Sequence, residues 1–288
     1  MNSPNVLIVG ATGGVGGSLL RQLLALPRPP SIRVSTRNLA KAEFPSSVQA
    51  VQGDLEDASS YPMLFRGIDR VFMYAKPEVS FPQLLSAARD CGVTYMVLLS
   101  SMTVEFDPES IVGRLHREVE HAIKASGLQY TFLRPRNFSS NSRQFWVPQM
   151  EKTGKLWMAY PNAQTAPVSE DDMAGVALVS LTTDKLLNQA VGLSGPVSIS
   201  QREQVNAINR LRVSEGKKPV ELIILSPEEW KARQAGHMSA EFQDQLLTWW
   251  ELTDGKPEMI QSSERITGKP SQSYDDWLLL NKAGFLKF

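Results

Sequence analysis

The chain has 288 residues with 30 Lys+Arg balanced by 30 Asp+Glu, so it carries no formal net charge. That balance excludes a domain that grips nucleic acid mainly through phosphates and a disordered acidic tail, and 42% hydrophobic residues supply a large buried core. Cys91, the single cysteine, has no intramolecular partner, so a reducing, cytoplasmic setting is expected. The opening Met1-Asn2-Ser3-Pro4 lacks the basic start of a signal peptide, and no apolar run is long enough for a membrane span. Neither nucleic acid nor membrane is expected as a partner; the expected partner is a small hydrophobic molecule, bound by a monomer or homodimer.

In chain order, Val6–Val9 reads as a strand, Ser18–Leu26 as a helix stopped by Pro27-Arg28-Pro29-Pro30, and Ile32–Thr36 as a second strand. Strands at Val48–Val51, Val71–Tyr74, Tyr95–Leu99 and Tyr130–Leu133 follow, with helices over Phe81–Cys91 and Arg114–Ala125. This alternation predicts an α/β fold, a Rossmann-type doubly wound parallel sheet. After Pro135 come the aromatic and proline-rich stretches Phe145–Pro148 and Trp157–Pro161, a helix over Asp171–Leu181 and a turn at Gly192–Pro196. Ser226-Pro227-Glu228-Glu229 has the composition of a capped helix start. The expected organisation is a dinucleotide domain over residues 1–140, with 167–185 returning to it, and a smaller mixed α/β C-terminal substrate lobe over residues 141–288.

Gly10-Ala11-Thr12-Gly13-Gly14-Val15-Gly16 lies between a strand and a helix. Glycines there allow a tight turn, and the helix N-terminus offers free N–H groups to a pyrophosphate, so Gly10, Thr12, Gly13, Gly14, Val15 and Gly16 are candidate cofactor contacts. No Lys-Ser or Lys-Thr follows the last glycine, which excludes a Walker A loop. The second strand ends in Thr36-Arg37-Asn38 rather than in the acid that would accept from the ribose of NAD. The first acid of the chain is Glu43, preceded by Arg21, Arg28, Arg33, Arg37 and Lys41, so Arg37, with Thr36 or Asn38, is expected on the 2′-phosphate of NADP(H). Asp54, with Leu55, either reaches the adenine or caps the next helix. Tyr74, Ala75 and Lys76 end the fourth strand, where the backbone would follow the cofactor ribose.

The glycine motif, Thr36-Arg37-Asn38, Gly53-Asp54-Leu55, Ser100-Ser101 and Leu133-Arg134-Pro135-Arg136-Asn137-Phe138 with Asn141 resemble the NmrA-like atypical short-chain dehydrogenases. Gly113-Arg114-Leu115-His116 ahead of Tyr130–Pro135 is most similar to the fungal festuclavine and agroclavine dehydrogenase branch. The resemblance implies NADP(H), alkaloid chemistry in secondary metabolism, a cofactor contact at Ser100, and Pro135, Asn137 and Phe138 beside the nicotinamide. The Tyr-x-x-x-Lys pair of ordinary members is missing: counted from the Ser126-Gly127 turn, Val112 takes the tyrosine position and His116 the lysine position. His116 then contacts the nicotinamide ribose, transfers a proton as the catalytic acid/base, or pairs with Glu120 on a solvated face. His116 and His121 are five apart, off a common face, and no metal site is expected. Met102, Phe138, Phe145, Trp146 and Trp157 either line an apolar substrate pocket or belong to the core.

Without a protein acid, reduction of an iminium or conjugated double bond of a bulky hydrophobic natural product is expected ahead of simple ketone reduction. Two other readings stay open: an NADP(H)-binding redox sensor without turnover, and a cyclase or isomerase in which the cofactor is structural.

Overall fold

The computed structural model describes residues 3–288, and Met1-Asn2, part of the opening read above, lies outside the described residues. The chain runs β1 (Asn5–Val9), α1 (Gly14–Leu24), β2 (Ser31–Thr36), β3 (Gln49–Gln52), α2 (Tyr61–Phe65), β4 (Arg70–Tyr74), α3 (Phe81–Asp90), β5 (Tyr95–Leu99), α4 (Thr103–Phe106), α5 (Ile111–Ala125) and β6 (Gln129–Pro135). It continues through α6 (Val147–Thr153), β7 (Lys155–Met158), β8 (Gln164–Thr165), α7 (Glu170–Thr182), β9 (Gln189–Leu193), β10 (Ile199–Ser200), α8 (Gln201–Ser214) and β11 (Glu221–Ile224). The helices α9 (Pro227–Gln234), α10 (Ala240–Thr253), α11 (Glu264–Thr267) and α12 (Tyr274–Leu280) complete it. None of these helices is long and apolar enough to cross a membrane.

Two compact units result. The first comprises residues 1–135, 170–193 and 263–269, the second residues 136–169, 194–262 and 270–288.

In the first unit, seven strands pair in the order β3-β2-β1-β4-β5-β6-β9, all parallel. Parallel strands covered on both faces have no solvated side, and β1, β4 and β5 are accordingly almost unbroken apolar runs. Leu7, Val71, Met96 and Phe132 pack with Leu84, Leu85, Val119 and Ile123 of α3 and α5 on one face. Alternation turns Ile8, Phe72 and Val97, all nearly fully buried, to the other, where α1 and α7 pack together. Ser18 of α1 donates to the Asp171 carboxylate, and Gln22 donates to the Asp171 carbonyl at 2.9 Å.

The second unit carries two small sheets, a parallel pair β7/β11 and an antiparallel pair β8/β10. Its core gathers Met150, Leu156, Met158, Val205, Ile208 and Trp277. The cap at Ser226 forms as expected: Ser226 N–H donates to Glu229 Oε2 at 2.8 Å and Glu229 N–H donates to Ser226 Oγ at 3.2 Å.

One local expectation needs correction. Gly192 sits inside β9 rather than in a turn, paired with Arg134, because a parallel edge strand tolerates a glycine when its neighbours Val191 and Leu193 are buried. Within the aromatic and proline-rich stretch that follows Pro135, Trp157 lies in strand β7, opposite Ile223.

Candidate functional site: a glycine-lined crevice in the first unit

The strand order reverses at the boundary between β1 and β4, which opens a crevice at the carboxyl ends of those strands. The chain leaves β1 through Gly10, whose φ of +80° is a left-handed conformation that favours glycine. Gly10 O accepts from Gly13 N–H at 2.9 Å, closing the turn into α1. A Cβ at Gly16 would lie 2.3 Å from Gly10 O, so the first turn of α1 and the end of β1 fit only as bare backbone. Helix α1 has no side-chain cap and no acid in its first turn, leaving its N–H groups and positive dipole end for an anion. Thr12, Gly13 and Gly14 are exposed around that end, while Val15 is buried beneath it.

The neighbouring expected residues take distinct positions. Tyr74 lies over the turn, its Cε1 2.9 Å from where a Cβ on Gly10 would be. Ala75 is half-buried, and Lys76 forms an ion pair with Glu56. Thr36 Oγ1 accepts from Asn38 N–H at 3.2 Å, and Asn38 Oδ1 accepts from Ala40 N–H at 3.0 Å, which fixes the loop that presents Arg37. Arg37 is exposed. Asp54 Oδ1 accepts from Glu56 N–H at 3.1 Å, a local turn, and the next short helix is capped by Asp57 instead; Leu55 is buried. These residues can hold a dinucleotide: a glycine cradle for the pyrophosphate, an unshielded cation at the ribose end, and a half-buried carboxylate.

At the far end of the same crevice, Ser100 N–H donates to Leu133 O at 2.7 Å and Met102 N–H to Pro135 O at 3.0 Å, tying the ends of β5 and β6 together. Ser100 and Met102 are both buried. Ser100 Oγ donates to Glu120 Oε1 at 2.6 Å, and Arg134 grips Glu120 with Nε, at 2.9 Å, and Nη2 while Nη1 reaches Glu105. Burial works against the charge of Arg134, but its bonds to Glu120 and Glu105 outweigh that and hold its pKa above the ordinary value.

His116 does not pair with Glu120, which turns inward to Ser100 and Arg134. Its Nδ1 instead meets Val112 O at 2.8 Å; a carbonyl only accepts, so Nδ1 carries the proton and Nε2 is left as an acceptor when the ring is neutral. Burial pushes the imidazole pKa below its ordinary 6.5, against the Val112 bond and the field of Glu120. Below that value the unfolded chain takes up a proton that the folded chain refuses, so this contribution to stability falls as pH drops below about 6.5. Urea unfolding at about pH 7.5 and about pH 5.5 should show a smaller midpoint difference for His116→Gln than for the parent chain; an equal difference sinks this assignment.

The second unit holds the remaining expected residues. Asn137 and Phe138 are half-buried: Asn141 Nδ2 donates to Asn137 Oδ1 at 2.6 Å, and Phe138 bridges to Val168. Phe145 is exposed, Trp146 packs on that unit's core, and Trp157 lies beneath Arg233, whose guanidinium carbon is 3.3 Å from the ring centre. Sequence reasoning missed Glu170, whose Cγ lies 2.9 Å from a Cβ position at Gly14. It also missed the Glu105–Arg134–Glu120 network; the one signal available was an arginine directly after the apolar Phe132-Leu133 of β6.

A glycine-cradled helix N-terminus at the switch point of a doubly wound parallel sheet defines a dinucleotide-binding α/β protein. The chain belongs to the NAD(P)H-binding family, whose model matches residues 10–184. It is 31% identical over 287 residues to the (4-alkanoyl-5-oxo-2,5-dihydrofuran-3-yl)methyl phosphate reductase of Streptomyces griseus, covering 94% of this chain and 96% of that protein. It is 25% identical to the NAD(P)H azoreductase of Xenophilus azovorans, over 97% and 99% of the two chains. Among solved structures, the NADPH complex of quinone oxidoreductase QOR2 from Escherichia coli superposes with a TM-score of 0.78 at 20% identity, covering 96% of this chain and 99% of that one.

Proposed function

We propose that the protein is an NADPH-dependent reductase of the atypical short-chain dehydrogenase type, which passes hydride to an electron-poor conjugated double bond or iminium of a bulky hydrophobic molecule. The dinucleotide contacts in this reading are the glycine turn, Arg37, Asp54, Tyr74–Lys76, Ser100, His116, Pro135, Asn137 and Phe138, and the substrate contacts are Met102, Phe138, Phe145, Trp146 and Trp157. The observation that carries this reading is on α5, where Val112 and His116 stand in place of the tyrosine and lysine that move a proton in ketone reduction.

When bound, NADPH supplies hydride from C4 of the nicotinamide. Hydride added to the far carbon of a conjugated double bond moves the π electron pair onto the carbonyl oxygen, and water protonates the enolate afterwards; addition to an iminium quenches its positive charge with no proton at all. Neither acceptor needs a phenol beside it. His116 Nε2 is suited to accept from a ribose hydroxyl, which orients the ring rather than supplying acid. The relatives support the acceptor class: one is named for an oxo-dihydrofuran bearing an alkanoyl group, one for azo reduction and one for quinones, all polarised π systems. An iminium, the acceptor implied by the resemblance of Gly113–His116 to alkaloid dehydrogenases, belongs to the same class.

The test is loss of nicotinamide absorbance with a panel of enones, quinones and iminium ions, with product mass showing a gain of two hydrogens from an enone or quinone and of one from an iminium ion. Binding of NADPH without turnover would favour a redox sensor, and a product of unchanged mass an isomerase. In the same assay Arg37→Glu should raise the KM for NADPH at least about tenfold while leaving that for NADH within about threefold, because it removes a charge-assisted phosphate contact and adds repulsion. Equal effects on both cofactors would remove Arg37 from the 2′-phosphate.

A further inference from the structure

Helix α7 opens on three acids, Glu170, Asp171 and Asp172, and packs against α1 within the first unit. Two of the three dock the helix: Asp171 accepts from Ser18 and, at 3.3 Å, from Arg21 of α1, and Asp172 accepts from Ser263 Oγ at 2.8 Å. Those bonds fix where the third acid lies. Glu170 Cγ is 2.9 Å, and its Oε1 3.5 Å, from the Cβ position of Gly14, the first residue of α1. Helical Cα–Cβ bonds tilt toward the N-terminus, so this carboxylate stands at the rim of the glycine cradle rather than along the flank of α1. Gly14 leaves it that room, because a side chain at position 14 would push it away. Helix α1 brings neither a capping side chain nor an acid of its own to this turn, so Glu170 supplies, from a neighbouring helix, the negative charge that the positive end attracts.

We infer that Glu170 sets the cofactor affinity of the cradle by working against it: its carboxylate competes with the pyrophosphate for the N-terminal end of α1. This rests on the glycine turn as the pyrophosphate site and adds a residue that opposes occupancy there. A carboxylate beside a helix N-terminus is stabilised by the dipole and the free N–H groups. An arriving pyrophosphate either displaces that charge or shares the site with it, and both weaken binding. NADPH and NADP⁺ carry the same pyrophosphate, so both are weakened by the same factor. Weaker retention serves turnover, since a reductase exchanges spent dinucleotide for fresh in every cycle and release of product limits many such enzymes. The 2′-phosphate, expected at Arg37 on the loop after β2, does not meet this acid.

Binding is the readout, so that the outcome does not depend on turnover. Calorimetric titration at about 0.15 M salt compares the parent chain with Glu170→Gln, which keeps the shape of the side chain and removes its charge. The variant should bind NADPH and NADP⁺ about fivefold more tightly, the factor that a charge at a helix terminus carries. Adenosine 2′-monophosphate, which has the 2′-phosphate but no pyrophosphate, should change by less than about 1.5-fold, because at that salt the field of one carboxylate is screened within about 8 Å. Glu170→Ser provides the same comparison if glutamine fails to fold. Unchanged or weaker NADPH binding in the variant, or equal tightening of adenosine 2′-monophosphate, overturns the proposal. Gly16→Ala separates the two layers of the argument: if it abolishes NADPH binding while Glu170→Gln changes nothing, the cradle stands and the role of Glu170 falls.

Discussion

Gly16→Ala should abolish measurable NADPH binding and lower stability by about 2–3 kcal/mol, the scale of overpacking a rigid site. The new methyl would stand 2.3 Å from Gly10 O and 2.7 Å from Gly10 C, both backbone atoms that no rotamer change can move aside. Relief requires α1 to draw back from the end of β1, which displaces the N–H groups meant for the pyrophosphate. Calorimetric titration with NADPH and urea melting measure the two effects. Gly17→Ala is the control: its Cβ would meet Ala11 O at 3.1 Å, which a shift of a few tenths of an ångström relieves, so it should keep most of its cofactor affinity. Full binding by Gly16→Ala would show that the close approach of β1 and α1 is not what shapes the cradle.

Removing one partner of the buried network has the second large effect. The side chains of Arg134 and Glu120 are 10% and 2% exposed, and Glu120→Leu leaves the guanidinium without its bidentate partner. That change should cost about 3–5 kcal/mol, whereas Glu120→Leu combined with Arg134→Met should recover most of it, because two paired buried charges repay little of their desolvation. Guanidinium melts of both single variants and the double variant give the coupling directly. A double variant as unstable as the worse single one would mean that the pair, through Ser100 and Glu105, fixes the ends of β5 and β6 in a way that apolar packing does not replace.

Much of the first unit was legible because parallel strands write themselves as apolar runs. Val6–Val9, Val71–Tyr74 and Tyr95–Leu99 are such runs, and the structure places strands over each of them. The glycine turn was legible for a local reason, since a positive φ and a close approach both demand the same residue. What escaped is non-local. Strand β9 carries Gly192 and is followed by Gly195-Pro196, the composition of a turn; only the edge of β6, more than fifty residues earlier, makes it a strand. His116 and Glu120 have the i,i+4 spacing of a surface ion pair, yet Arg134 and Ser100 draw Glu120 inward, and spacing along one helix carries no sign of that.

The path of the chain also governs how the protein is made and cut. The backbone passes between the two units after residues 135, 169, 193, 262 and 269. On the ribosome, β6 therefore waits with a bare, apolar edge until Leu193 of the 288 residues has emerged, and α11 joins the same unit later still. An unpaired edge of that kind invites pairing with another chain, so nascent or truncated molecules should depend on chaperones far more than the finished protein does. A fragment ending near residue 140 would not be a small dinucleotide module but a sheet lacking its last strand and the α7 helix that roofs one face. Recombination between relatives would succeed by exchanging the inserted segments as a set, not by joining two halves at a single seam.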